Sequence, residues 1–215
     1  AAIQMNRPVV EITSGGCVYW DAYISYPPHR DECRAYFEGT KAFLQSSEAG
    51  TVIVAQSGAL WDEGNGLVVG LDENSYEQQR RNDVMELGLT TAAIQLQSQG
   101  HTVLLIDPMY RLGFDRNKSC NLLQLLGDGC LQAQVPVSAL SDSQGEAKNT
   151  IERVSASTGV SRLDLAQYQC PDGLCPMTDS DGLIYVSDTH VSIPFSQSLA
   201  PVFQQALEKL GTSRI

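Results

Sequence analysis

Long apolar runs, basic clusters and paired metal ligands are all missing from this 215-residue chain. No apolar stretch approaches the ~18 residues needed to span a bilayer, and the longest strand-like runs, 51–56 and 102–107, are short. The chain opens Ala-Ala-Ile-Gln-Met-Asn-Arg-Pro, with no charged n-region and no apolar h-region, so any targeting segment is expected outside it. Lys and Arg total 14 against 25 Asp and Glu, a formal net charge of −11, and Arg80-Arg81 is the nearest thing to a basic cluster. That balance argues against nucleic acid as a main partner, because phosphate binding needs a basic patch to release counterions. It also argues against docking on an anionic lipid surface and leaves neutral small molecules and sugars as compatible ligands. Phosphate-binding loops and dinucleotide fingerprints are absent, so no organic cofactor is expected.

Metal chemistry is poorly provided for. The histidines, His29, His101 and His190, are scattered, and neither C-x-x-C nor H-x-x-x-H occurs. Asp179-Ser180-Asp181-Gly182 opens like a calcium loop, but the twelfth position, where a bidentate glutamate belongs, is His190. No metal is expected. The six cysteines point instead to disulfides and to an oxidising, periplasmic or secreted setting. Their order suggests neighbouring pairs, Cys17 with Cys33, Cys120 with Cys130 and Cys170 with Cys175, one of several connectivities that six cysteines allow.

What is present is an alternation of strand and helix patterns. Residues 9–12 form a short apolar strand running into the turn Thr13-Ser14-Gly15-Gly16, and 31–48 read as a helix ending before Gly50. Residues 51–56 are a nearly continuous apolar strand, which suits a sheet covered on both faces. After an acidic loop, 75–99 read as a long helix with Val84, Leu87, Thr91 and Ile94 on one face and Gly100 as its stop. Residues 102–107 are a third strand. Residues 144–157 follow as a helix, 161–167 as a strand and 182–186 as a weaker strand. The leucine-rich segment 121–130 reads as a small disulfide-closed helix. Residues 196–210 close the chain as an amphipathic helix, with Ser196 as its cap and Leu199, Val202, Phe203, Ala206, Leu207 and Leu210 on one stripe. The pattern predicts an α/β fold, a three-layer α/β/α sandwich around a mostly parallel sheet, formed by 1–215 as a single domain.

Active sites of such sheets gather beyond the carboxyl ends of the strands, which directs attention to 13–17, 57–62, 107–112 and 187–190. His190 follows a predicted strand and precedes the last helix, a position from which an imidazole serves as general base. His101 precedes a strand on the opposite edge and His29 sits in a Pro-rich loop, so both read as structural.

The stretch Tyr185-Val186-Ser187-Asp188-Thr189-His190-Val191-Ser192 resembles the last block of SGNH-type esterases and acyltransferases. The likeness is greatest to the extracytoplasmic SGNH domain fused to acyltransferase 3 membrane proteins, which O-acetylate bacterial surface glycans. There the block reads approximately Leu-Tyr-x-Asp-x-x-His-Leu-Ser. Ile12-Thr13-Ser14-Gly15-Gly16-Cys17, with Cys33 downstream, is similar to the group's Gly-Cys segment and its partner cysteine. Residues 51–56, ending near Trp61, resemble the strand and tryptophan that stand in place of the Gly-x-Asn block. Residues 100–108 fit the next strand, and Cys170 with Cys175 fits the cysteine pair ahead of the histidine.

This resemblance implies a flavodoxin-like SGNH fold and a serine acyl-enzyme, with His190 as base. Gly16, with Gly15 as alternative, would supply the oxyanion-hole N–H, and Trp61 a substrate wall. The implied reaction is acetyl transfer to sugar hydroxyls of a surface glycan such as O-antigen, exopolysaccharide or peptidoglycan, with a membrane acyltransferase domain as acyl-donating partner. The domain would be periplasmic and tethered to the inner membrane. Two alternatives are a periplasmic carbohydrate O-acetyl esterase and a non-catalytic glycan-binding domain.

Two departures from the family pattern stand out. The family's nucleophile lies in a Gly-Asp-Ser block ahead of the Gly-Cys segment, and this chain has no Gly-Asp-Ser. The expectation is a fragment that begins after the first strand and its serine; Ser14 and Ser57 are the internal alternatives. The family's triad aspartate stands three residues before the histidine, where this chain has Ser187, while Asp188 is two before it. Asp188 or the Ser187 hydroxyl is therefore the candidate orienter of the imidazole.

Overall fold

The computed structural model describes residues 9–13, 17–20, 23–24, 30–56, 68–69, 78–112, 134–140, 142–180, 182–186 and 190–212. They belong to two compact units, one formed by Val10–Pro108 with Asp142–Leu163, the other by Ala1–Val9, Met109–Ser141 and Asp164–Ile215.

The first unit holds the sheet. Its elements are β1 (Tyr23–Ile24), α1 (Arg30–Ser46), β2 (Thr51–Ala55), β3 (Val68–Val69), α2 (Gln78–Ser98), β4 (Thr102–Ile106), α3 (Asp142–Thr158) and β6 (Ser161–Leu163), with β5 (Gln134–Pro136) intervening in the chain but lying in the second unit. Strands β2, β4 and β6 form a three-stranded parallel sheet in that order, with Thr51 opposite Thr102 and Leu104 opposite Ser161. Each successive pair is joined through a helix, α2 and then α3, which is the only short way to bring parallel neighbours together. The fold class is thus α/β, as the strand–helix alternation predicted, with a sheet reduced to three parallel strands among the described residues. A separate two-stranded antiparallel ribbon joins β1 to β3.

The core of this unit fills one face of the sheet. Val103 and Leu105 of β4 pack with Met85, Leu89, Ala92, Ala93 and Leu96 of α2 and with Ala147, Ile151 and Val154 of α3, and Val18 and Trp20 close one side. At ~25 cal/mol per Å² of apolar area removed from water, a stripe of this kind contributes ~1.5–3 kcal/mol for each large aliphatic side chain.

The buried stripe of α2 corrects the sequence expectation. Val84 is half-buried, but Leu87 is 62 % and Ile94 54 % exposed, and Thr91 lies on the surface, donating its hydroxyl to the Leu87 carbonyl at 2.8 Å. The helix carries apolar residues on two sides. The side that includes Gly88, Ala92 and Ala93 goes inward because small residues let the helix approach the core closely.

Strand β4 is covered on both faces, with Val103 through Ile106 all buried. Strand β2 is not: its residues alternate between exposed and half-buried, and Ile53 is 45 % exposed. Among the described residues β2 lies at the edge of the sheet, which accounts for the exposure of a sequence that reads as a central strand. The expected strand at 9–12 is also not formed; Val9 and Val10 are 61 % and 66 % exposed, and apolar character without a ladder partner makes no strand.

In the second unit come β5, α4 (Ala166–Gln169), β7 (Leu174–Pro176), β8 (Thr178–Asp179), β9 (Gly182–Leu183), α5 (Ile193–Ser198) and α6 (Ala200–Thr212). Strand β5 pairs antiparallel with β7, and β8 with β9. The strand expected over 161–167 ends at Leu163, and Ala166–Gln169 turn as a helix whose first N–H is taken by the Asp164 carboxylate at 2.8 Å. The closing helix is two helices. It starts at Ile193, is interrupted at Leu199, and its cap is Ser192, whose Oγ accepts from the Phe195 N–H at 3.1 Å, rather than Ser196. The apolar stripe holds, with Leu199, Leu207 and Leu210 buried. Among the described residues no helix is long and apolar enough to cross a membrane.

Candidate functional site

His190 sits on a small hairpin of the second unit. The Ile184 N–H donates to the Met177 carbonyl at 2.9 Å, the Ser192 N–H to the Ile184 carbonyl at 2.7 Å, and the Val186 N–H to the His190 carbonyl at 2.9 Å. Tyr185 bridges Val191 in antiparallel register. These bonds hold the main chain at 184–186 and 190–192, and His190 is exposed. Two residues later Ser192, itself buried, caps α5, with a proline in the first turn where a missing N–H costs nothing. The main chain at His190 is thus held between a hydrogen-bonded arm and a capped helix, and the residue is exposed. The expected strand over 182–186 is cut to Gly182–Leu183 and pairs antiparallel with β8, outside the parallel sheet. Ser187 and Asp188, the candidate orienters, lie outside the described residues.

Behind this hairpin lies a buried polar group that the sequence did not announce. Tyr185 is 1 % exposed, and among the described residues its hydroxyl has no hydrogen-bond partner of good geometry. Burial pushes the phenol well above the usual tyrosine value, with the nearby Gln169 amide working weakly the other way. Gln169, fully buried, spends its amide on the main chain of Tyr110, accepting from its N–H and donating to its carbonyl, both at 2.7 Å. The adjacent Cys170 is bonded to Cys175, so a disulfide closes the turn that carries this glutamine.

In the sheet unit, Cys17 is bonded to Cys33 in the first turn of α1. The disulfide ties down the segment that immediately follows Gly15 and Gly16; those two glycines, Ser14, Ser57 and Trp61 lie outside the described residues, as do Cys120 and Cys130. Two of the three expected cysteine pairs are therefore formed, and both suit an oxidising, extracytoplasmic compartment.

Asp107, just past the carboxyl end of β4, is occupied structurally. Its carboxylate meets the Arg162 guanidinium in a two-pronged pair, Nε to Oδ1 at 2.7 Å and Nη2 to Oδ2 at 2.6 Å, and its N–H donates to the Leu163 carbonyl at 3.1 Å. Arg162 reaches Glu152 with its remaining Nη1 at 3.1 Å. The pair clamps the ends of β4 and β6 together.

His101 is structural, as its position suggested. It is 5 % exposed; Nδ1 accepts from the Gly50 N–H at 3.1 Å, so Nε2 bears the proton and faces the Leu44 carbonyl at 3.1 Å. Both ring nitrogens are used in joining the end of α1 to the start of β2. Among the described residues no three His, Cys, Asp or Glu side chains converge as a metal site.

No curated protein and no solved structure matches the chain. The family model described as SGNH domain (fused to AT3 domains) matches residues 1–205. With nearly the whole length covered, and an α/β fold in place, the chain belongs to the family of SGNH domains (fused to AT3 domains), and its function is of the acyltransferase/esterase type.

Proposed function

We propose that the domain is the glycan-modifying half of a membrane O-acyltransferase, moving an acetyl group onto a sugar hydroxyl of a bacterial surface glycan. The observation that carries this reading is His190, exposed on a hairpin fixed at both sides, within a chain matched over 1–205 by a domain family fused to AT3 domains. A serine of the family's Gly-Asp-Ser block, which these 215 residues do not include, is the nucleophile. His190 takes the proton of that serine as its oxygen attacks the acyl carbonyl, and the donor's leaving group departs with the proton. In the second half-reaction His190 takes the proton of the sugar hydroxyl, the sugar oxygen attacks the acyl-enzyme, and the serine leaves reprotonated.

Gly16, with Gly15, offers main-chain N–H groups to the tetrahedral anion in both steps. Asp188 or Ser187 orients the imidazole, and Trp61 forms a wall for the sugar ring. The acyl donor is a membrane acyltransferase domain of the same protein, which also holds this domain on the periplasmic side of the inner membrane.

The test is a His190→Ala substitution in the complete protein, read by the O-acetyl content of the cell-surface glycan and by the thermal unfolding of the purified domain. The expected result is lost acetylation with unfolding unchanged. Full acetylation by the variant would remove His190 from the mechanism and the proposal with it.

A further inference from the structure

The loop closed by the Cys170–Cys175 disulfide stands between two segments of the second unit and is bonded at each end to one of them. At its entrance, on the last residue of α4, the Gln169 amide grips the main chain of Tyr110. Oε1 accepts from the Tyr110 N–H and Nε2 donates to the Tyr110 carbonyl, both at 2.7 Å. Just past its exit the Met177 carbonyl accepts from the Ile184 N–H at 2.9 Å, where the hairpin of His190 begins. The disulfide links the two grips across a sequence separation of 5. Gln169, Met177 and both cysteines are buried, so the joint is held by packing as well as by bonds.

A buried amide is costly unless both its ends are bonded, and here both ends go to one residue 59 positions away. Together they imitate a rung of a strand ladder for a segment that has already left β4. That segment, 107–112, is one of those in which active-site groups of parallel α/β sheets gather.

We infer that Gln169 is a positioning residue of the acyl transfer, holding the segment at Tyr110 and the hairpin of His190 as one block. It acts through the main chain, from a fully buried place, and not on the substrate. A general base must keep its proton donor within hydrogen-bond reach, and a displacement of about 1 Å costs on the order of 100-fold in rate. The inference rests on His190 being the base and adds the residue that keeps it in place.

The test is the rate at which a fluorophosphonate labels the nucleophilic serine of the complete protein, read by intact mass. In that reaction the serine oxygen displaces fluoride at phosphorus while the base takes the serine proton. Molecules that fail to fold lower the labelled fraction, whereas a displaced base lowers the rate constant of those that react. Gln169→Leu is expected to lower that rate constant by roughly 10- to 100-fold. Gln169→Glu is the second variant: a protonated carboxyl accepts and donates as the amide does, while an ionised one only accepts. Its rate constant relative to the unaltered protein is expected to fall between about pH 6 and about pH 10, as that buried carboxyl ionises. An unchanged rate constant for Gln169→Leu overturns the inference, as does a Gln169→Glu ratio that is flat with pH. His190→Ala separates this result from the reading beneath it. Labelling of that variant at the full rate would remove the base itself, whereas its loss beside an unaffected Gln169→Leu would strike the inference alone.

Discussion

The indole of Trp20 occupies the place where any residue other than glycine at 88 would put its Cβ. A carbon built there falls inside the permitted contact distance of the indole Cδ1 and 3.2 Å from Cγ and Nε1. Gly88 lies within α2, where glycine is ordinarily a cost, and the close approach of Trp20 is the compensation. Gly88→Ala is therefore expected to destabilise the domain by ~1–3 kcal/mol through overpacking. Gly39 in α1 and Gly145 in α3 have nothing within 4 Å of an added Cβ, and alanine at either should stabilise by ~0.5–1 kcal/mol. Urea unfolding midpoints of the three variants read the contrast. A harmless Gly88→Ala would mean that Trp20 does not lie against α2.

His101 and His190 should separate cleanly by function. His101→Ala removes the acceptor of the Gly50 N–H and the donor to the Leu44 carbonyl and leaves both near a buried hole. A loss of ~2–4 kcal/mol of stability is expected, combining the unmade bonds with the cavity. Acetylation per folded molecule in the complete protein should remain unchanged, the reverse of the result expected for His190→Ala. Equal loss of activity at matched folded protein would show that His101 takes part in the chemistry.

Asp107→Asn keeps the shape of the side chain and removes the charge that meets Arg162. The Asp107 side chain is 1 % and the Arg162 side chain 21 % exposed, so the guanidinium loses the charge of a buried partner, while Glu152 pairs with it from a more exposed position. A cost of about 3 kcal/mol follows. It should be nearly independent of salt between 0.1 and 0.5 M, about the range over which surface pairs are screened. Arg153, which pairs with Glu86 and Glu146 on the surface, supplies the contrast: Arg153→Met should cost under ~1 kcal/mol, and that cost should shrink in salt. Chemical denaturation at two salt concentrations measures both.

Alkaline pH should destabilise the fold through two phenols, the half-buried Tyr19 and the buried Tyr185. Burial, with a smaller push from neighbouring Tyr36, raises Tyr19 to about 12, and burial raises Tyr185 further. A phenol whose folded value exceeds its unfolded value of about 10 holds its proton more tightly in the native state. Its contribution to stability is complete below pH ~10 and falls as pH rises through the folded value, because the unfolded chain releases protons first. Urea midpoints are expected to fall steeply above pH ~10, and Tyr19→Phe should flatten that fall. Phenolate absorbance should rise in two stages, the second coinciding with loss of circular dichroism. A single early rise with the fold intact would contradict the burial of both rings.

The sequence by itself determined the elements whose signals are local. The helix after residue 30, the strands at 51–55 and 102–106 and the helix expected over 144–157 follow from periodicity and, for the first two helices, from glycine stops at 50 and 100. Neighbour order was enough to pair Cys17 with Cys33 and Cys170 with Cys175, because short loops bring such cysteines together. The place of His190 ahead of the closing helix was also legible, although the cap that starts that helix is Ser192 and not the Ser196 that the pattern suggested.

Tertiary structure decided the rest. Helix α2 is apolar on two sides, and periodicity alone does not say which side meets the sheet; the tight fit of Trp20 on Gly88 selects the face with Met85, Leu89 and Leu96. The apolar run at 9–12 becomes no strand and, among the described residues, β2 stands at an edge, because strand formation depends on a ladder partner that no local pattern encodes. Gln169 on the Tyr110 main chain and Asp107 on Arg162 are likewise invisible in one dimension. Burial and hydrogen bonding are properties of residues far apart in the chain, and only packing brings those residues within reach of each other.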